Sequence, residues 1–164
     1  IPDALLILVP RHPERFNAVA KQANAANLRM VRRSEGSTCN GEVQLYLGDT
    51  MGEMLLLYAA SDVAFVGGSL VPTGSHNMLE PAALGKPVLF GPHRYNFAEI
   101  SQLLIDQKAA QEVADSTVLS QVVVELLQNR ELRLQQGGQG KAVVEQNRGA
   151  LKRMSDKIQT LLAL

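Results

Sequence analysis

The 164 residues suit one domain or two small ones, and with 46% apolar residues spread along the chain they can bury a core. Lys plus Arg equals Asp plus Glu at 16 each, which excludes a global field toward nucleic acid or anionic lipid, so any anion site is local. The single cysteine, Cys39, excludes an intrachain disulfide and fits a reducing compartment, and no apolar run reaches the ~20 residues of a membrane span.

The chain opens at Ile1-Pro2 with neither Met nor a signal-peptide pattern and enters a run at Leu5 that reads as buried. Such an abrupt start suggests a fragment cut at a domain boundary. Leu5 to Val9 is the first expected strand, closed by Pro10, and a helix follows from about Glu14 to Ala26. A short strand around Met30-Val31 precedes a polar loop from Ser34 to Gly41, and a third strand, Gln44 to Leu47, stops at Gly48. Thr50 then begins a helix to about Ala60, with Glu53 at capping-box spacing and Met51, Met54 and the leucines reading as core.

A fourth strand, Val63 to Val66, runs into Gly67-Gly68, and a short helix from about Asn77 to Leu84 ends at Gly85. Pro87 to Phe90 is the fifth strand, Phe97 to Gln107 a helix, and Ala110 to Val113 a sixth strand. Asp115-Ser116 signals the start of a helix whose Val118, Val122, Leu126 and Leu127 share a face. A further helix runs through Leu132 and Val143 to about Asn147, with a break expected at Gly137-Gly138. Leu151, Met154, Ile158, Leu161 and Leu162 form a last amphipathic stripe. Strands alternating with helices predict an α/β fold, a Rossmann-like, doubly wound parallel sheet of about six strands. Ligands of such sheets sit beyond the carboxyl ends of the strands, which directs attention to the strand exits.

Three exits stand out. Arg11, directly after the first strand, carries a planar fork suited to phosphate or carboxylate, although pairing of Arg11 or Arg15 with Glu14 or another surface acid is the structural alternative. Gly48-Asp49-Thr50-Met51-Gly52-Glu53 combines a tight turn, a helix start with unpaired amides and a glycine that admits close approach, while capping alone would explain Thr50 and Glu53. Gly67-Gly68-Ser69 with Gly74 to Pro81 repeats the pattern. Glu80 there could accept hydrogen bonds from a ribose, or serve as the cap partner of Asn77.

Other signals carry little. Gly137 to Lys141 has Gln135 and Ala142 where a P-loop needs Gly and Ser or Thr. His12, His76 and His93 lack metal-type spacing, Cys39 has no activating basic neighbours, and no nucleophile elbow is present. No metal site is therefore expected.

Taken together, LVPRHPERF, GDTMGEM, FVGGS, HNMLEPAALGKPVLFGPH and the following Asn96-Phe97 closely resemble the 3-deoxy-D-manno-octulosonic acid (Kdo) transferases of lipopolysaccharide assembly in Gram-negative bacteria. The likeness covers nearly the whole chain and is densest from Leu8 to Phe97. Glu-Pro-Ala-Ala followed by Gly-Lys-Pro-Val is widespread among glycosyltransferases, but the set in this order is specific. Three departures stand out: Met78 replaces a proline common in relatives, many relatives carry a bulkier charged residue near Pro72-Thr73, and the loop Ser34 to Gly41 matches poorly.

The resemblance implies that residues 1–164 form one donor-binding domain, the C-terminal half of a GT-B glycosyltransferase, with the N-terminal acceptor domain absent. It implies that Pro10, Arg11, Met51, Gly52, Glu53, Asn77, Met78, Leu79 and Glu80 bind the CMP of CMP-Kdo. No catalytic residue is expected in this chain, because the family's base, a Glu, lies in the N-terminal half. No cofactor is implied beyond the donor substrate CMP-Kdo. The implied acceptor is a lipid A precursor, met by the whole enzyme at the cytoplasmic face of the inner membrane, with this domain cytosolic. Alternatives are a UDP-sugar transferase or epimerase of the same fold, or a non-catalytic nucleotide-binding domain.

Overall fold

The computed structural model describes residues 1–148, so the amphipathic stripe from Leu151 to Leu162 lies outside the described residues. The chain divides into two compact units, Ile1–Ser61 and Asp62–Leu164.

In the first unit, β1 (Leu6–Leu8), β2 (Met30–Arg32) and β3 (Leu45–Leu47) form a parallel sheet in the order β1-β3-β2. Leu45 stands opposite both Leu6 and Met30, and Leu47 opposite both Leu8 and Arg32. The middle strand is consequently the buried one, with Leu45 and Leu47 at its centre. A 3-10 turn over Pro13–Arg15 leads into α1 (Phe16–Ala25), where Pro13 supplies a preset first-turn φ. Helix α1 buries Ala20 and Ala23 against Leu45 and Leu47, flanked by Leu8, Val19, Leu28 and Met30. It ends where Asn27 takes a left-handed φ of 55°, a conformation asparagine tolerates.

Two expectations fail in this unit. Leu5 and Leu6 are 40% and 53% exposed rather than buried, because among the described residues β1 has a ladder partner only in β3. Helix α2 (Met54–Ala60) begins four residues later than Thr50. It buries Leu57 but leaves Leu55, Leu56 and the preceding Met51 at 56%, 60% and 67% exposure, so the Met/Leu stripe is not core.

In the second unit, β4 (Ala64–Phe65), β5 (Val88–Phe90) and β6 (Ala110–Glu112) make a second parallel sheet in the order β4-β5-β6. The expected single sheet of about six strands is therefore six strands in two ladders of three. The two-residue β4 directs its hydrogen bonds to β5, with Ala64 N–H donating to Pro87 O at 3.0 Å and Val66 N–H to Leu89 O at 2.8 Å. Strand β5 is wholly buried and, with Val66, Met78, Ala82, Leu104, Ala109 and Val143, builds the core of this unit. Burying each large apolar side chain there contributes roughly 1.5–3 kcal/mol.

Around that core lie α3 (Leu79–Ala83), α4 (Ala98–Asp106), α5 (Ser116–Gln128) and α6 (Arg130–Asn147). The Asp115 carboxylate caps α5 by accepting from the amides of Thr117 and Val118 at 2.8 and 2.9 Å, as the sequence anticipates. Helix α6 runs unbroken through Gly137-Gly138, contrary to the expected interruption. Gly137 is there for proximity: an added Cβ would come within 2.0 Å of the Gly85 carbonyl oxygen just after α3. Gly140, one turn on, would set its Cβ 3.4 Å from that of Ala82.

Candidate functional site

Within the first unit, the exits of β1 and β3 are neighbours because the strands are. Gly48 N–H donates to Leu8 O at 2.9 Å, and a Cβ on Gly48 would lie 3.1 Å from Val9 and 2.8 Å from Leu57. Pro10 and Arg11 thus leave the same carboxyl edge as the loop Gly48 to Glu53. Arg11 is exposed, and the neighbouring His12 Nδ1 lies 3.8 Å from Glu14 Oε1.

The loop after β3 has a defined shape. Gly52 adopts φ 83°, a left-handed value that costs a side-chain-bearing residue about 1–2 kcal/mol. Nothing lies within 4 Å of where its Cβ would be, so the need for glycine is conformational rather than steric. Glu53 is not the capping-box partner the spacing suggests. It occupies the N-cap position of α2 without a side-chain cap bond. Its carboxylate instead accepts the Thr50 hydroxyl and a forked pair from Arg33, Nε to Oε2 at 3.1 Å and Nη2 to Oε1 at 2.8 Å. The Arg33 and Thr50 hydrogen bonds hold the Glu53 carboxyl below the usual carboxylate range, and Glu53 in turn raises Arg33.

Asp49, 6% exposed, accepts Arg32 Nε at 2.6 Å, the Ser34 hydroxyl at 2.6 Å and the Ser34 amide at 2.8 Å. Burial alone would push its carboxyl up, but the Ser34 and Arg32 hydrogen bonds outweigh that and hold it low. Sequence reasoning gave no role to Arg32, Arg33 or Asp49. The arginine pair at the exit of β2 is visible in the sequence, but its partners lie 17 and 20 residues away, beyond any local spacing.

In the second unit, the exit of β4 folds back on itself. Gly68 and Gly74 take φ of 78° and 82°, and a Cβ on Gly68 would meet the Gly74 carbonyl oxygen at 2.4 Å. His76 N–H reaches Gly67 O at 3.3 Å, so the segment that opens α3 is tied to the end of β4. The fully buried Ser69 donates its hydroxyl to Val66 O at 2.7 Å and accepts Gly91 N–H at 2.8 Å, joining the exits of β4 and β5. Tyr95 O–H caps the loop by donating to Pro72 O at 2.9 Å.

Asn77 and Glu80 come together, though not as the expected backbone box. Asn77 Oδ1 accepts Leu79 N–H at 3.0 Å and its Nδ2 donates to Glu80 Oε1 at 3.0 Å, while Met78 holds the N-cap position. The Met78 side chain is fully buried in the core, leaving its backbone for any ligand. Leu79 and Glu80 are half-buried at the first turn. Helix α3 spans five residues and α2 seven, so both present individual N–H donors rather than the end of a long dipole. Among the described residues no group of three or more His, Cys, Asp or Glu could hold a metal ion, and no helix is long and apolar enough to cross a membrane. An open surface depression of about 690 Å³ between α5 and the start of α6, lined by Ser120, Val124, Gln128 and Arg130 among others, involves no strand exit.

No protein-family model matches the chain. Over 162 residues, 98% of its length, it is 45% identical to a 3-deoxy-D-manno-octulosonic acid transferase of Haemophilus influenzae and 38% identical to that of Bordetella pertussis. The chain spans 38% of the length of each of these relatives. Among solved structures it is similar to the C-terminal CMP-Kdo binding domain of WaaA from Acinetobacter baumannii, with TM-score 0.82, 40% identity, and coverage of 85% of this chain and 73% of that one. WaaG, a glycosyltransferase involved in lipopolysaccharide biosynthesis, matches at TM-score 0.52 and 17% identity, a likeness of fold alone covering 86% of this chain and 34% of that one.

Parallel strands with glycine-rich exits, matched to the WaaA domain, give the fold of a GT-B glycosyltransferase C-terminal domain. The chain belongs to the Kdo transferase family, matching its C-terminal portion.

Proposed function

We propose that this chain is the donor-binding domain of an inverting transferase that moves Kdo from CMP-Kdo to a lipid A precursor. The observation that carries this reading is the similarity to the CMP-Kdo binding domain of WaaA, at 40% identity across 85% of the chain. Pro10, Arg11, Met51, Gly52, Glu53, Asn77, Met78, Leu79 and Glu80 are assigned to the CMP moiety. The Arg11 guanidinium suits the phosphate, with backbone amides around Gly52 and Leu79 adding donors. Glu80, already oriented by Asn77, suits the ribose hydroxyls.

In the reaction, a base outside this chain takes the proton of an acceptor hydroxyl, whose oxygen then attacks the anomeric carbon of Kdo. The bond from that carbon to the CMP phosphate oxygen breaks, and CMP departs with the electron pair. Arg11 and the amides stabilise the charge growing on the phosphate, an interaction that strengthens toward the transition state. The whole enzyme works at the cytoplasmic face of the inner membrane of Gram-negative cells, where the acceptor is anchored.

Calorimetric titration of CMP, UMP and UDP into the chain tests the assignment. CMP is expected to bind most tightly, and a preference for either uridine nucleotide would contradict it. The chain alone is expected to transfer no Kdo.

A further inference from the structure

The loop that follows β3 is held at two points by one tripeptide. Arg32, Arg33 and Ser34 close strand β2 and its 3-10 turn, and each contacts a carboxylate of the loop. Arg32 and Ser34 hold Asp49, and Arg33 holds Glu53. Between these anchors lie only Thr50, Met51 and Gly52, and the Thr50 hydroxyl is itself bonded to Glu53.

The ladder between β2 and β3 ends with Arg32 opposite Leu47. The Arg32–Asp49 pair starts from that last paired residue and the Arg33–Glu53 pair lies beyond it, so both reach past the ladder to the loop. What they fix is the path of the loop, where Gly52 keeps φ 83° and Met51 projects at 67% exposure. A carboxylate buried with three donors stays in place, because leaving any of them unmet is costly. The Arg33 fork adds orientation, since a planar guanidinium engages both carboxylate oxygens.

We propose that Asp49, with Arg32, Arg33 and Ser34, is the positioning device that holds Met51 and Gly52 in the shape that receives the nucleotide. Asp49 touches no substrate. It acts through the loop. This inference rests on the CMP assignment above and deepens it.

The test combines CMP titration with backbone relaxation measurements on the nucleotide-free chain, for wild type, Asp49→Asn, Arg33→Ala and Arg33→Lys. Asp49→Asn and Arg33→Ala are expected to weaken CMP binding roughly tenfold and to lower the order of the Met51 and Gly52 amides, because binding then has to order the loop. Arg33→Lys, which keeps the charge and loses the fork, is expected to fall between. If Asp49→Asn does not fold, Arg33→Ala on the half-exposed pair decides the matter. Weaker binding with an unchanged loop would mean direct contact and overturn the proposal, as would a looser loop with unchanged affinity. A wild-type chain that fails to bind CMP overturns the donor assignment and this inference with it. Wild-type binding with unaffected variants overturns only the inference.

Discussion

Gly137 of α6 approaches the backbone of Gly85 so closely that a Cβ on Gly137 would sit 2.0 Å from the Gly85 carbonyl oxygen. The contact joins α6 to the end of α3, the helix whose first turn carries Leu79 and Glu80. Gly137→Ala has to push backbone aside, which costs about 1–3 kcal/mol. Its neighbour Gly138, with nothing within 4 Å of its Cβ position, is an ordinary helical glycine. Gly138→Ala is expected to stabilise by roughly 0.5–1 kcal/mol through helix propensity. Thermal melting of the two variants should move in opposite directions.

Ser69 offers a sharper test of the β4 exit. Its buried hydroxyl links Val66 O to Gly91 N–H, and Ser69→Ala strands that amide where water cannot easily reach it. A loss of about 1–3 kcal/mol in denaturant unfolding is expected. Ser69→Cys, whose thiol bonds more weakly, should recover only part of it.

Acid should loosen the first unit through Asp49. Its carboxyl is held below the ordinary value in the fold, so the folded chain binds fewer protons than the unfolded chain as pH falls toward that value. The stabilisation is present above the unfolded pKa of about 3.9 and is lost as pH falls through the lower folded one. Asp49→Asn should be less stable than wild type at neutral pH by about 1–3 kcal/mol. Melting temperatures followed from pH 7 downward should show that gap shrinking below roughly pH 4. A gap that stays constant would mean the charge of Asp49 plays no part.

The strands were legible from the sequence because short apolar runs ending in Gly or Pro mark parallel strands, and all six appear within a residue or two of the expected positions. What failed depended on contacts distant in sequence. Thr50 and Glu53 have capping-box spacing, but Glu53 is claimed by Arg33, 20 residues earlier, and local spacing cannot register that competitor. Gly137 resembled a helix break because glycine lowers helix propensity, whereas its reason is Gly85, brought near by tertiary packing. Met51, Leu55 and Leu56 counted as core by type alone, yet α2 turns only Leu57 inward. The residues assigned to CMP came from motif likeness. The Arg32–Asp49 and Arg33–Glu53 pairs, which fix the loop around them, needed coordinates.

Amide chemical-shift mapping of the labelled chain with CMP most directly tests the claim that these strand exits receive the nucleotide. Perturbations are expected at Arg11, at Met51 to Glu53 and at Asn77 to Glu80, with Arg11→Ala weakening the titration at every one of them. Shifts confined to the α5 surface around Ser120 and Val124, or no saturable shifts at all, would contradict the account.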